Sequence, residues 1–260
     1  MAFPTKLLAG LAVAGVLAAG VFPRSSRAET LRGAVPNIVL VHGAFVDGSS
    51  WAEVVRRLQR KGYHVTAVQN PLTSLADDVA ATRRVLARQR GPVLLVGHSW
   101  AGAVITEAGN ADNVRGLVYL SALVPDSNES VADLLTRLHA PMDGLTPDAD
   151  GWLWLDAPAA FRTVMAGDVL MDKVRVLAAT QQPIAARAFA DRVSHAAWRS
   201  KPSWYLVTDK DHALPPTVQR QLAHDIGAQV QHLASSHLSL VSHPQVVADF
   251  IDRAARDVAR

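Results

Sequence analysis

Short apolar segments alternate with amphipathic helical segments along the chain from Pro36 onward. In most of the apolar segments, polar and apolar residues do not alternate, which is typical of strands that are covered on both faces. Such strands, each followed by a helix, favour a parallel sheet with helices on both sides. The predicted strands are residues 37–42, 63–69, 92–97, 114–122, 202–208 and 228–234, and the predicted helices are 49–62, 74–91, 100–110, 215–227 and 243–260.

The segment from about residue 125 to 200 interrupts this alternation. It is helix-like and rich in tryptophan and alanine, with Pro141, Pro147 and Pro158 separating its parts. We therefore predict an α/β fold: a mostly parallel, doubly wound sheet with an inserted helical cap over one end.

The first 28 residues have a different character. Lys6 precedes an uncharged run of 16 residues, and Ser26 and Ala28 occupy the −3 and −1 positions of a small-residue cleavage site before Glu29. This pattern is typical of a secretory signal peptide. An uncleaved membrane anchor is the alternative, although the run is shorter than the roughly 20 residues that span a bilayer. We expect residues 29–260 to form one secreted or periplasmic domain.

Charge and cysteine content limit the functions that need to be considered. The leader carries three of the 26 basic residues and no acidic one, so residues 29–260 carry 23 residues of each sign. This balance gives no support for a nucleic-acid partner or for stable membrane association once the leader is removed. The absence of cysteine excludes a thiol nucleophile and any cysteine-ligated metal. We predict neither a metal nor a cofactor, and the sequence does not indicate the oligomeric state.

Ser99 lies in the sequence GHSWA, between a predicted buried strand and a predicted helix. A serine at such a sharp turn is held in a strained conformation that exposes its hydroxyl at the end of the sheet. The residues two positions away must be small, and Gly97 and Ala101 meet this requirement. The pattern predicts a nucleophile, although a serine that caps an ordinary helix would look similar.

A serine hydroxyl needs a base, and the base needs a carboxylate that orients it. His237 follows the last predicted strand, and Asp211 follows the strand before it, so the order along the chain is serine, acid, histidine. We predict that these residues form a catalytic triad with Ser99. Asp209 is the rival acid, and His98 and His212 are candidates for supporting roles beside the triad.

A developing oxyanion also needs hydrogen-bond donors. The turn HGAF at residues 42–45 follows the first strong strand. We predict that the backbone N–H groups of Ala44 and Trp100 form an oxyanion hole, with Phe45 as an alternative to Ala44. We expect His42 to support the loop rather than to contact a substrate.

Together these motifs resemble the α/β-hydrolase fold superfamily over roughly residue 36 to the C-terminus. The matching segments are HGAF at 42–45, GHSWAG at 97–102, DHALPP at 211–216 and SSH at 235–237. The chain is most similar to small serine esterases, the plant methylesterase and hydroxynitrile lyase group and their bacterial relatives, which the segments 178–189 and 201–211 also resemble. The resemblance implies Ser99 as nucleophile, Asp211 as acid, His237 as base, and Ala44 and Trp100 as oxyanion donors.

Differences between this chain and particular groups within the family reduce the number of reactions that we expect. Dehalogenases and epoxide hydrolases of this fold carry an aspartate where this chain carries Ser99. Hydroxynitrile lyases carry a lysine after the histidine and a threonine in the oxyanion turn, where this chain has Leu238 and Gly43. The resemblance therefore implies a serine carboxylesterase. Thioester cleavage, perhydrolysis and non-catalytic ligand binding on the same fold remain alternatives.

Aromatic residues near the predicted site are candidates for the walls of a substrate pocket. They are Phe45, Trp100, Trp152, Trp154 and Phe161, although the last three could equally pack the interior of the cap. A pocket of this kind suits a small or medium uncharged ester.

Overall fold

A parallel sheet forms the centre of the molecule. The computed structural model describes residues 35–140 and 144–259. Its strands are β1 (Asn37–Val41), β2 (His64–Ala67), β3 (Val93–His98), β4 (Val114–Leu120), β5 (Trp152–Leu153), β6 (Ile184–Ala185), β7 (Ser203–Thr208) and β8 (Gln229–Leu233). Within the described residues, six of these strands form one sheet in the order β2-β1-β3-β4-β7-β8, with every neighbouring pair parallel. The predicted α/β fold class is therefore confirmed.

Helices cover both faces of this sheet, and three of those within the described residues lie in the inserted segment. The helices are α1 (Ala52–Arg60), α2 (Leu75–Ala87), α3 (Ala101–Ala108), α4 (Val131–Arg137), α5 (Pro158–Val164), α6 (Met171–Ala179), α7 (Pro216–Asp225), α8 (Ser239–Ser242) and α9 (Pro244–Asp257). Serine side chains cap two of them: Ser74 accepts a hydrogen bond from Asp77 N, and Ser130 forms a reciprocal capping box with Asp133. Such caps satisfy N–H groups that the first helical turn leaves unpaired.

Burial within the sheet follows the position of each strand. Every residue of β1, β3 and β7 is buried, whereas β8 at one edge is largely exposed. Strand β2, at the other edge, has no fully buried residue. This difference explains why the central strands are continuous apolar segments while the sequence around β2 alternates.

The inserted segment between β4 and β7 is not purely helical. It contains α4, α5 and α6, and β5 pairs with β6 as a small antiparallel sheet. Each of these strands has only two residues, which is too short for an alternating pattern to be visible in the sequence.

Parallel strands bring their carboxyl ends to one edge of the sheet. The turn at Gly43 follows β1, Ser99 follows β3, Asp211 follows β7 and His237 follows β8. Ligands of open α/β sheets bind at this edge, so four sequence motifs converge in one region. The predicted leader, residues 1–28, lies outside the described residues. Within the described ranges, no helix combines the length and hydropathy needed to cross a membrane.

Close packing at Gly97 gives a first test of this architecture. A Cβ atom on Gly97 would lie 2.7 Å from the carbonyl oxygen of Ala101, which requires the backbone of α3 to shift. We expect Gly97→Ala to lower the free energy of unfolding by about 1–3 kcal/mol, measured by urea denaturation. Gly167→Ala is the control, because its Cβ would have no neighbour closer than 3.8 Å. Equal stability of the two variants would contradict the packing described.

Candidate active site

Ser99 occupies a left-handed turn between β3 and α3. Its φ angle is +56°, a conformation that is costly for a residue with a side chain. Backbone hydrogen bonds hold the turn: Ser99 N donates to Leu120 O, and Ser99 O accepts from Gly102 N and Leu123 N. A Cβ on Gly43 would lie 2.7 Å from Ser99 Cβ, so only glycine allows the β1 turn to approach this closely.

His237 and Asp211 form a buried pair behind the turn. His237 Nδ1 lies 2.7 Å from Asp211 Oδ2, and both side chains are almost completely shielded from solvent. Asp209, the rival acid, is exposed and instead faces His232 at 3.1 Å and Arg220 at 3.8 Å. Of the two candidate acids, only Asp211 can orient the His237 ring.

The Asp211 carboxylate accepts hydrogen bonds on both oxygens. Oδ2 receives Thr208 Oγ1 at 2.7 Å and Gln219 Nε2 at 2.9 Å in addition to His237, while Oδ1 receives Ala213 N and Leu214 N at 2.8 Å each. Burial opposes ionisation of Asp211, but the charge and hydrogen bond of His237, with the other donors, outweigh it and lower the pKa. The acid is therefore an ionised acceptor at neutral pH.

The backbone of His237 is fixed from two directions. Its carbonyl oxygen accepts His98 Nε2 at 3.0 Å and Ser121 Oγ at 3.3 Å. Burial, reinforced by the neighbouring His237, lowers the pKa of His98 to about 3, so its ring is neutral and Nε2 carries the proton. On the other side, Leu238 N donates to Met165 O in the inserted segment.

Ser99 and His237 meet in the wall of a cavity of about 480 Å³ beneath the inserted segment. No hydrogen bond joins their side chains in this structure. The described residues that line the cavity are Ala44, Phe45, Ser99, Trp100, Leu123, Leu135, Ala140, Gly144, Leu145, Leu155, Ala160, Val164, Met165, Phe189, His212, Ala213, Leu214, Pro215 and His237. Among these, Ser99, His212 and His237 supply the polar side chains.

The two predicted oxyanion donors border the same cavity. Neither Ala44 N nor Trp100 N donates a hydrogen bond to a described residue, and both residues line the cavity beside Ser99. His42 supports the Ala44 turn: its Nδ1–H donates to Gly43 O at 2.9 Å, and its Nε2 accepts from Asn70 N at 2.9 Å. An oxygen bound between two free N–H groups could carry negative charge here.

The structure brings some of the predicted pocket residues to the cavity but not others. Phe45 and Trp100 line it. Trp152, Trp154 and Phe161 are not among the described lining residues: Trp152 pairs with Ala185 in the small sheet, Trp154 is half-exposed and donates to Asp148 Oδ2, and Phe161 is buried. Residues such as Met165 and Phe189 provide the apolar wall instead.

Two carboxylates near the site were not anticipated from the sequence. Asp168, in the inserted segment, accepts hydrogen bonds from Ser235 Oγ and from both Ser236 N and Ser236 Oγ. Asp78, in the first turn of α2, accepts from the indole of Trp100. Favourable charge at a helix start would explain both Asp77 and Asp78 equally well, and no local pattern in the sequence distinguishes the buried member from the exposed one.

Among the described residues, no group of three or more histidine or acidic side chains could hold a metal ion. The groups present at the cavity are a serine hydroxyl, an imidazole that is hydrogen-bonded to a carboxylate, and free N–H groups.

A six-stranded parallel sheet with these groups at its carboxyl edge defines an α/β-hydrolase architecture. Residues 38–250 match the Alpha/beta hydrolase family, and the chain belongs to that family.

Known proteins resemble the chain over most of its length. It is 28% identical to the alpha/beta hydrolase nvfD of Aspergillus novofumigatus, over 85% of this chain and 96% of that protein. It is 26% identical to a pyrethroid hydrolase of Sphingobium wenxiniae, over 85% and 89%. The structure of tomato methylketone synthase I superimposes with a TM-score of 0.75 at 19% identity, over 86% and 99%, which shows a shared fold. Arabidopsis thaliana methylesterases also match, so the predicted resemblance is confirmed.

The Asp211 cluster predicts a stability effect. All five of its hydrogen-bond partners are donors, so in Asp211→Asn the new amide group must face donors. We expect a loss of about 1–3 kcal/mol in the free energy of unfolding at pH 7, measured by urea denaturation, and little change for the exposed Asp209→Asn.

The pH dependence of this loss has a definite sign. The pKa of Asp211 is lowered on folding, so its contribution is complete above the ordinary value of 3.8 and is lost as pH falls through the folded value. The difference between wild type and Asp211→Asn should therefore shrink below about pH 4. A difference that stayed constant down to pH 3 would contradict the assignment.

Proposed function

We propose that this protein is a serine hydrolase that cleaves carboxylic esters through an acyl-enzyme on Ser99. The observation that carries the proposal is the meeting, in one cavity wall, of a serine in a left-handed turn with a histidine that a buried carboxylate orients. Family membership and relatives named as hydrolases and esterases support the same reaction type.

In the proposed mechanism, His237 Nε2 takes the proton of Ser99 as its oxygen attacks the ester carbonyl. Asp211 keeps the Nδ1 proton in place and stabilises the imidazolium that forms. The N–H groups of Ala44 and Trp100 bind the oxyanion, which is usually a large contribution to such rates. His237 then returns the proton to the leaving alcohol. In the second half of the reaction, His237 takes a proton from water as the water attacks the acyl-enzyme, and it returns that proton to Ser99 as the acid is released.

The cavity lining favours a neutral, apolar substrate. None of its described residues is an acid, a lysine or an arginine, and aromatic and aliphatic side chains form most of the wall. A charged acyl group would lose its hydration there without gaining a partner, which is costly. The relative named for pyrethroid hydrolysis is consistent with this class. We propose esters whose acyl or alcohol part is uncharged and predominantly apolar.

Labelling and turnover test the mechanism. We expect a fluorophosphonate to modify Ser99 in residues 29–260, mapped by mass spectrometry, and p-nitrophenyl esters from acetate to octanoate to be hydrolysed. Ser99→Ala and His237→Ala should lower kcat by about 10³-fold or more while remaining folded by circular dichroism. Full turnover in Ser99→Ala would exclude the mechanism, and ligand binding without labelling would instead favour a binding protein.

We also propose that the protein is exported, on the basis of the leader pattern in residues 1–28. The expected outcome is cleavage after Ala28 when the full chain is expressed in a Gram-negative host. N-terminal sequencing of the periplasmic or secreted protein should begin at Glu29. A chain that stays with the membrane fraction and retains residues 1–28 would indicate an anchor.

A further inference from the structure

Two adjacent acids in the first turn of α2 have opposite environments. Asp77 is exposed and bonds to its neighbours Thr73 and Ser74. Asp78 is completely buried. Capping and favourable helix-dipole charge account for Asp77, but they do not account for a carboxylate removed from water one position further along.

Asp78 is held entirely by neutral donors. Oδ1 accepts Leu72 N at 2.8 Å, and Oδ2 accepts the indole Nε1–H of Trp100 at 2.7 Å. Burial raises the pKa of Asp78 to about 6, against the effect of these two hydrogen bonds. Because both partners are donors, the ionised carboxylate is the form that satisfies both of them.

The two hydrogen-bond partners of Asp78 are connected to the cavity through different contacts. Trp100 lines the cavity, contacts the ring of Phe189 with a centroid separation of 5.1 Å, and carries a proposed oxyanion N–H. Leu72 has a φ of +58°, and its carbonyl accepts Ala185 N of β6, four residues before Phe189. Asp78 thus connects the nucleophile turn to the strand that precedes the opposite aromatic residue.

We propose that Asp78 is a positioning residue that fixes the Trp100–Phe189 wall of the cavity and so determines which acyl or alcohol groups fit beside Ser99. This inference rests on the proposed function, because its consequences are read from ester turnover. Asp78 itself is not among the residues that line the cavity. Its effect must therefore pass through the Trp100 indole and the Leu72 turn.

A double-mutant cycle isolates the route through Trp100. In Asp78→Asn, the new side-chain NH2 group must face either Leu72 N or Trp100 Nε1, and both of these atoms are donors. Trp100→Phe removes the indole N–H but keeps an aromatic ring and the backbone N–H. We expect Asp78→Asn to lower kcat/KM for p-nitrophenyl octanoate about tenfold, with a smaller loss for the acetate. In the Trp100→Phe background, the same substitution should change kcat/KM by less than about twofold.

Asp77→Asn is the matched control, since it removes the neighbouring charge from the same helical turn without touching the cavity. Its kcat/KM for both esters should stay within about twofold of wild type. Fluorophosphonate titration of active sites normalises each rate to the folded, reactive fraction. Loss from unfolding therefore cannot imitate a change in selectivity between the two esters.

Several outcomes would overturn the inference. An equal tenfold loss in both Trp100 backgrounds would show that Asp78 does not act through the Trp100 indole. A loss of equal size for acetate and octanoate would show that Asp78 does not fix the shape of the aromatic wall. If Asp78→Asn does not fold, Trp100→Phe alone must shift the octanoate-to-acetate ratio, and an unchanged ratio contradicts the proposal. A wild type that is neither labelled nor active overturns the proposed function as well, whereas the other results leave that function intact.

Discussion

Strand β3 ends in a turn whose backbone is left-handed at Ser99, and the surrounding elements are arranged to tolerate that turn. Gly97 leaves space for the first carbonyl of α3, and Gly43 lets the β1 turn pass within contact distance of Ser99 Cβ. The hydrogen bonds of Ser99 to Leu120, Gly102 and Leu123 join the turn to β4 and α3. The cost of this conformation is therefore met by interactions from neighbouring strands, and the hydroxyl is left at the cavity.

The carboxylate that is hydrogen-bonded to His237 lies in the protein interior. Asp211 would be unfavourable in the interior without the five donors that surround it, and those donors come from β7, its following loop, α7 and the loop after β8. Removal of a single donor leaves a buried carboxylate incompletely satisfied. The orientation of His237 thus depends on residues that never contact the cavity, such as Thr208 and Gln219.

Sequence patterns predicted the features that depend on neighbouring residues along the chain. Continuous apolar strands indicated the parallel sheet, and small residues around Ser99 indicated the tight turn. Features that depend on contacts between residues far apart along the chain could not be predicted from these patterns. Asp77 and Asp78 look equivalent in sequence, but successive helical residues point about 100° apart, and only the packing of α2 decides which one is buried. Trp152 and Trp154 were candidates for the pocket by residue type alone, which does not indicate the direction of a side chain in or directly after a two-residue strand.

The inserted segment is hydrogen-bonded to the loop that carries His237, as well as lying over the cavity. Met165 O accepts Leu238 N, and Asp168 binds Ser235 and Ser236 directly before the histidine. The part of the chain that shapes the pocket therefore also helps to hold the imidazole. The inserted segment therefore cannot be exchanged without an effect on the loop that carries His237. A segment taken from another protein of this fold would need its own carboxylate and carbonyl at these two places. Substitutions of side chains that line the cavity, such as Leu135, Val164 and Phe189, alter the pocket without removing either of these two contacts.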